Sequence, residues 1–280
     1  YESTNGPDRW IIKSGWEEYA SGDYNNFTVC EWNGLKCNAA DFVTEIDLSY
    51  NGLDGTIPSI LGQLSALTRI RMINNDIFGT LPSELAQLKS LKEILLRDNT
   101  IAGVIPSEIG HMVSLELIQL RSNLLTGMLP SELGHLTKLN YFDIRYNAIA
   151  GTLPSELGLI QSCERFYAQN NDFVGPIPSE IGQLDSMMSM GIHSNGLTGT
   201  LPSEVGFLLN IEWFVLSSNN LSGPLPSELG NLESLQTFYL QNNDFTGVMP
   251  NEVCALRNVS LDALAVDCLE VICDCCTYCL

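Results

Sequence analysis

The stretch that decides the fold reads Leu115-Glu-Leu-Ile118-Gln-Leu120-Arg-Ser-Asn123-Leu-Leu125-Thr-Gly127-Met-Leu129-Pro130-Ser-Glu-Leu133-Gly-His-Leu136. The same unit recurs every 24 residues, and its asparagine marks each copy at Asn51, Asn75, Asn99, Asn123, Asn147, Asn171, Asn195, Asn219 and Asn243, the ladder asparagines. A fixed period of about 20–30 residues indicates a solenoid, whose units are too small to bury their apolar faces alone. We therefore predict one stack of nine coils.

Each place in the unit predicts a piece of local structure. Ile118 and Leu120 stand two residues apart, which is the spacing of inward-facing side chains on a short strand. Asn123 carries two amide donors and one acceptor, so it can satisfy backbone groups of the turn inside the stack. Gly127 indicates either a positive φ angle or backbone crowding between coils. The run Leu129-Pro130-Ser131-Glu132 predicts the start of a short helix, with the serine hydroxyl as its cap.

The whole pattern, Leu-x-x-Leu-x-Leu-x-x-Asn-x-Leu-x-Gly-x-Ile-Pro-x-x-Leu-Gly-x-Leu, resembles the plant-type leucine-rich repeat of extracellular receptor ectodomains and wall-enzyme inhibitor proteins. The resemblance covers residues 43–258 in nine 24-residue repeats. It implies an α/β solenoid, a right-handed superhelix with a concave parallel β-sheet, short convex helices and disulfide-bonded caps. It also implies that ligands bind on the concave face or its flanks.

Residues 1–42 do not fit the repeat and are predicted to form an N-terminal cap. They hold three of the four tryptophans and the segment Cys30-Glu-Trp32-Asn-Gly34-Leu-Lys-Cys37. This segment is similar to the Cys-x-Trp-x-Gly-Val-x-Cys cap of the same family, and the resemblance implies a disulfide between Cys30 and Cys37. Such a cap covers the open apolar end of a solenoid.

Residues 259–280 are predicted to form a C-terminal cap that is rich in cysteine, similar to the tails of leucine-rich repeat proteins from algae such as diatoms. The pairing of its cysteines cannot be deduced from sequence. Close cysteine spacing also suits zinc, but the N-terminal cap and the glycosylation signals favour an oxidising compartment, so we predict disulfides, no metal and no cofactor. Cys163 occupies a buried place in its repeat and is predicted to be a free thiol. The tail cysteines are Cys254, Cys268, Cys273, Cys275, Cys276 and Cys279.

Three acceptor sequences for N-glycosylation begin at Asn26, Asn220 and Asn258. Chance can supply a few in a chain of this length, and Asn220 is the best candidate because it follows a ladder asparagine where the chain turns outward. No run of about 18 apolar residues occurs, so no membrane span is predicted. The sequence begins with neither methionine nor a hydrophobic leader, which we interpret as a mature or trimmed form. Together these features predict a secreted or cell-surface glycoprotein.

The formal charge of −20 argues against nucleic-acid binding. Eight glutamates recur at one place on the predicted convex side. A cation-binding or repulsive stripe is one interpretation, and helix-start chemistry repeated with each coil is the one that we favour. The recurring residues are Glu84, Glu108, Glu132, Glu156, Glu180, Glu204, Glu228 and Glu252.

Arg97, Arg121 and Arg145 are predicted to stack in one column on the concave face, because neighbouring strands lie about 4.8 Å apart. Asp143 can relieve Arg145, whereas the other two arginines have uncharged inner neighbours. Arginine binds carboxylate, sulfate and phosphate groups in bidentate fashion, so the column predicts a site for such groups. A solvated polar face is an equally good interpretation.

Beside this column the concave positions become aromatic. Gly191 is expected to leave an indentation among the rings. Aromatic faces next to polar groups suit sugar rings or peptide side chains, although aromatics also occupy exposed strands for packing alone. The residues concerned are Tyr141, Tyr167, His193, Trp213 and Tyr239.

No arrangement for catalysis is found, since His111 and His135 lie late in the convex segment without a nucleophile or carboxylate set beside them. We therefore predict a recognition module, not an enzyme, that binds an extracellular protein, a peptide or an acidic glycan on its concave face. The alternative is a structural subunit of an extracellular matrix or surface filament that self-assembles through its caps or edges. Recognition is favoured because the concave positions vary most between repeats.

Overall fold

One twelve-stranded sheet runs along the part of the chain that the computed structural model describes, residues 4–5, 10–11 and 28–279. Its first pair is antiparallel, and the later pairs are parallel. From Glu45 opposite Arg69 onward, residues 24 apart face each other across neighbouring repeat strands. The strands are Leu35–Cys37, Val43–Asp47, Arg69–Arg71, Glu93–Leu95, Leu117–Gln119, Tyr141–Asp143, Arg165–Tyr167, Ser189–Gly191, Trp213–Val215, Thr237–Tyr239, Ala263–Val266 and Tyr278–Cys279.

A second set of short strands, here called the lateral strands, follows the ladder asparagines. These strands pair in parallel with their neighbours in one group of five and three groups of two. They are Asp54–Thr56, Asp76–Phe78, Ala102–Gly103, Leu124–Leu125, Ala150–Gly151, Asp172–Gly175, Gly196–Gly199, Asn220–Gly223, Asp244–Phe245, Gly247–Val248 and Val271–Ile272. The solenoid predicted from the repeat is therefore confirmed, and it carries strands on two of its sides.

In the described part of the chain, the helical turns on the side opposite the main sheet are 3-10 helices, apart from the α-helix at Asn251–Ala255. The prediction that serine caps them is wrong, because the residue before each repeat helix is proline and no side chain makes a cap hydrogen bond. The serine hydroxyl instead donates to the next glutamate, as from Ser107 to Glu108 (3.4 Å). The 3-10 helices are Val29–Glu31, Ser59–Gln63, Ser83–Gln87, Ser107–His111, Ser131–His135, Ser155–Leu159, Ser179–Gln183, Ser203–Phe207, Ser227–Asn231 and Leu256–Asn258.

The ladder asparagines satisfy backbone groups inside the stack, as predicted, and they also connect each coil to the preceding one. Asn123 Oδ1 accepts a hydrogen bond from the backbone N–H of Ile101 (3.0 Å). Its Nδ2 donates to the carbonyl oxygens of Leu96 and Leu120, both at 3.0 Å. The side chain is buried among the leucines and isoleucines that fill the interior of the coil. It therefore satisfies backbone groups that water cannot reach.

Two rows of glycine set the path of the coil. Gly127 has φ of +74° and Gly151 has φ of +81°, so the first of the two predicted reasons for glycine at this place applies. In the second row, a side chain at Gly158 would collide with the backbone oxygen of Glu180 in the next coil. Ala86 replaces glycine in this row, and a small apolar cavity of about 20 Å³ lies beside it.

Disulfides close both ends of the stack. Cys30 is bonded to Cys37, and the tail pairs are Cys254–Cys275, Cys268–Cys279 and Cys273–Cys276. The thiol of Cys163 is free and buried, as predicted. At the N-terminal end, Trp10 joins the apolar core and its indole N–H donates to Thr4 Oγ1 (2.9 Å). Within the described residues, no helix has both the length and the apolar character needed to cross a membrane.

Candidate ligand-binding surface

The concave face is the solvent side of the main sheet, and it presents three side-chain columns. Alternation along each strand turns two residues outward, and a third outward residue follows two places later. The first column contains Tyr141 and Trp213, the second contains Asp143 and Tyr167, and the third contains the predicted arginines. Because the columns are built by a fixed register, side chains from distant parts of the sequence become neighbours.

In the N-terminal part of the concave face, the charged side chains form ion pairs with one another. Arg69 binds Glu93 and also lies 3.4 Å from Glu45. Lys36 donates to the same Glu45 at 2.7 Å, and this hydrogen bond lowers the pKa of that carboxyl from its ordinary value. Arg71 pairs with Asp47 at 3.3 Å. These charges satisfy one another, so this part of the face offers no charged group in excess.

The arginine column is partnered more fully than the sequence suggested. Asp98 binds Arg97, and its Oδ2 also lies 3.5 Å from Arg121. The expectation that these two arginines lack a carboxylate neighbour is therefore wrong. Asp98 adopts φ of +60° directly after the strand path, a conformation that aspartate tolerates and that the repeat provides here. With the pair Arg145–Asp143, three guanidinium groups face two carboxylates.

Asp143 is a fully buried carboxylate on this face, with an exposed fraction of 0%. Its Oδ1 accepts from the backbone N–H of Arg145 (3.3 Å) and lies 3.1 Å from the Nε of the same residue. Its Oδ2 has no hydrogen-bond partner among the described residues. Burial raises the pKa of Asp143, although Arg145 opposes that shift. Burial also raises the pKa of Tyr141, which lies on the same strand.

Aromatic rings from three repeats form one continuous cluster. The ring centroids of Tyr141 and Tyr167 are 5.8 Å apart, and those of Tyr167 and Trp213 are 6.0 Å apart, both edge to face. His193 meets Trp213 at 6.4 Å, and the Arg145 guanidinium lies 5.2 Å from the centre of the Tyr167 ring. Burial, and then Arg145, lowers the pKa of His193, so its imidazole is neutral at pH 7.

Gly191 does not leave the open indentation that the sequence predicted. A Cβ on Gly191 would lie 2.8 Å from Cζ3 of Trp213 and 3.1 Å from Oε1 of Gln169. The indole therefore passes over the glycine and fills the space. Tyr239 lies farther along the face, and no ring contact among the described residues joins it to the cluster.

Several polar atoms beside the cluster are buried without a partner. Gln169 Oε1, His193 Nδ1 and Gln241 Oε1, all in the third column, make no hydrogen bond within the described residues. Leaving a buried polar group unpaired costs about 1–3 kcal/mol. Native proteins keep few such groups, and a bound donor would stabilise each of them. Sequence reasoning missed Gln169, because glutamine on a strand carries no signal of its own.

The glycosylation candidates lie away from the concave face where the structure describes them. Asn220 is exposed at the start of the lateral strand Asn220–Gly223. Asn258 is exposed at the end of the 3-10 helix Leu256–Asn258. Asn26 lies outside the described residues. A glycan at either described site would leave the concave face open.

Family models of the leucine-rich repeat match residues 89–149, and also residues 42–64, 210–232 and 234–256. None of the curated proteins matches the chain. Together with the parallel sheet and the 3-10 turns, these matches show that the chain carries leucine-rich repeats and has the solenoid fold of plant leucine-rich repeat ectodomains.

Solved structures with the same fold include plant receptor ectodomains. The plant peptide hormone receptor RGFR1 in complex with RGF2 is 29% identical at a TM-score of 0.77, over 80% of this chain and 36% of that one. The GASSHO1/SCHENGEN3 ectodomain of Arabidopsis thaliana is 27% identical at a TM-score of 0.77, over 92% of this chain and 34% of that one. A leucine-rich repeat protein of Leptospira interrogans is 30% identical at a TM-score of 0.65, over 80% of this chain and 55% of that one. The chain thus spans about a third of the two receptor chains.

Proposed function

We propose that this chain is a non-catalytic extracellular module that binds a segment of a peptide or protein on its concave face. The observation that carries the proposal is the aromatic cluster of Tyr141, Tyr167 and Trp213, which is half-exposed and lies against buried acceptors without partners. Large rings give much contact area at little entropic cost, and they dominate the energetics of protein interfaces. Scaffold packing explains the leucines of the repeat but not this cluster.

Each group on the face has a distinct part in the proposed binding. The rings pack against apolar side chains of the ligand. Gln169 lies beside the rings, and a rotation of its amide would let Oε1 accept a hydrogen bond from a ligand N–H group, which removes the cost of leaving this oxygen unpaired. Arg97 and Arg121 share the single carboxylate of Asp98, so this pair retains positive charge for an acidic group of the ligand.

The structural relatives support a peptide ligand over other classes. RGFR1 is bound to RGF2, and the Arabidopsis thaliana ectodomain is bound to Casparian strip integrity factor 2. The disulfides of both caps support an extracellular site of action, because such bonds persist in oxidising compartments. An acidic glycan bound to the arginine column is the alternative ligand for the same face.

Selection from a phage-displayed library of random peptides tests the proposal. Peptides enriched on the chain are expected to bind Trp213→Ala about tenfold or more weakly. Phe207→Ala is the matched control, because Phe207 is an exposed aromatic residue on the opposite side of the coil. Failure to enrich any peptide, or equal binding to both variants, would refute the proposal. Tighter binding of polygalacturonate fragments, lost in Arg97→Gln, would favour the glycan version.

A further inference from the structure

The lateral strands carry a second exposed surface that the concave proposal does not use. Phe78, Val104, Leu124 and Met128 are exposed by 47%, 54%, 57% and 69%. Strand register places Leu124 opposite Ala102, in the coil that also carries Val104. The Val104 side chain packs beside Gly127, next to Met128, so the four apolar residues belong to one surface. We call the solvent side of the lateral strands from Phe78 to Thr152 the lateral face.

The lateral face carries no charged residue. Side chains point outward at the first, third and fifth places after each ladder asparagine, and from Phe78 to Thr152 each of these is Phe, Thr, Ala, Val, Leu or Met. The chain as a whole has 33 acidic and 13 basic residues, so this run differs from the rest of its surface. Exposed contiguous apolar patches of this kind on soluble proteins mark interaction sites.

Acidic residues border the lateral face on its convex side. A groove of about 710 Å³ adjoins it, and its lining includes Thr80 and Val104 of the lateral face together with Pro82 and Glu84. Glu84 and Glu108 begin successive convex turns and make no ion pair within the described residues. Lys89 lies beside both glutamates, but its Nζ donates to the backbone oxygens of Ala86 and His111, so the two carboxylates leave the border with a net negative charge.

We propose that the lateral face docks a protein partner whose contact surface has an apolar centre flanked by lysine or arginine. The apolar centre would cover Leu124 and Met128, and the basic flank would lie against Glu84, which lines the groove, and against Glu108 in the next coil. Complementary charge at the rim favours such a partner and speeds its association. A second copy of this chain fits poorly, because a symmetric contact would bring two acidic borders and two chains of charge −20 together.

A library of random phage-displayed peptides, first depleted on Leu124→Ser, isolates binders that need this face. These binders should combine apolar with basic residues, bind the unmodified chain about tenfold more tightly than Leu124→Ser, and lose affinity as NaCl is raised. The double substitution Glu84→Gln and Glu108→Gln should lower the affinity of these binders several-fold. Thr198→Ser is the matched control, since Thr198 is exposed on another lateral strand.

The same binders should bind Trp213→Ala unchanged, which separates this proposal from the concave one. Three outcomes would overturn it. Depletion on Leu124→Ser could leave no binder, the binders could lack basic residues and salt dependence, or the chain could sediment as a dimer that Leu124→Ser dissociates. The last outcome would assign the lateral face to a second copy.

Discussion

Replacing the ladder asparagine Asn123 with leucine tests how the coils are held together. Leucine has a similar size, so the main loss is in hydrogen bonding. The N–H of Ile101 donates to Asn123 Oδ1 and would be left unpaired in the core. The oxygen of Leu96 keeps a second donor, Asn99 Nδ2 at 3.0 Å, and the oxygen of Leu120 keeps Asn147 Nδ2 at 3.1 Å.

These contacts set the expected magnitude. The orphaned N–H costs about 1–3 kcal/mol, and each of the two lost donated bonds removes about 0.5–1.5 kcal/mol of net stabilisation. Asn123→Leu should therefore lower the free energy of unfolding by about 2–6 kcal/mol. Urea unfolding followed by circular dichroism measures this change, and an unaltered m-value shows that the same surface is exposed.

Asn231→Leu is the control, because Asn231 is an exposed asparagine on a convex turn. A surface change of this kind should alter stability by no more than about 0.5 kcal/mol. If Asn123→Leu costs less than about 1 kcal/mol at an unchanged m-value, the buried amide does not hold neighbouring coils together and the reasoning is refuted.

Further predictions concern the glycine row, the free thiol and the buried carboxylate. Gly158→Ala should lower the free energy of unfolding in urea by about 1–3 kcal/mol, since its methyl group meets the backbone of the next coil. Ala86→Gly should also lower it, by about 1 kcal/mol, and a more stable protein from either substitution would contradict the packing described. Burial raises the pKa of the Cys163 thiol to about 12, so iodoacetamide at mild pH should leave the native chain unlabelled and add one group after unfolding without reductant; more adducts would contradict the disulfides. Burial raises the folded pKa of Asp143 above its ordinary value of about 3.9, so the native form loses stability as pH rises through that folded pKa. The free energy of unfolding of Asp143→Asn should therefore increase relative to that of the unmodified chain over this range, and a pH-independent difference between the two would disprove this.

The coil was predictable because its determinants are local and repeated. Each of Ile118, Leu120 and Asn123 follows a spacing that fixes which side chains point inward, and copies 24 residues apart reinforce the same register. The type of helix was less predictable. A segment of five residues between Pro130 and Leu136 forms a tighter 3-10 turn, and the proline occupies the place where a capping side chain would act.

The candidate site was predictable in its residues but not in its contacts. Columns of arginine and aromatic residues follow from the period alone. The period did not predict that Asp98 is the partner of Arg97 and Arg121, because Asp98 lies in a turn with positive φ outside the strand alternation. Trp213 reaches across a neighbouring strand to cover Gly191, and only a side-chain rotamer decides this. The tail disulfides depend on the chain path, which the cysteine spacing does not define.

A crystal structure of the chain with its tightest selected peptide tests the concave site most directly. We predict that the peptide crosses the cluster of Tyr141, Tyr167 and Trp213, with an N–H donor within hydrogen-bonding distance of Gln169 Oε1. A peptide seated on the convex turns or on the lateral strands, with the concave rings bare, would contradict the proposal that the concave face is the recognition surface.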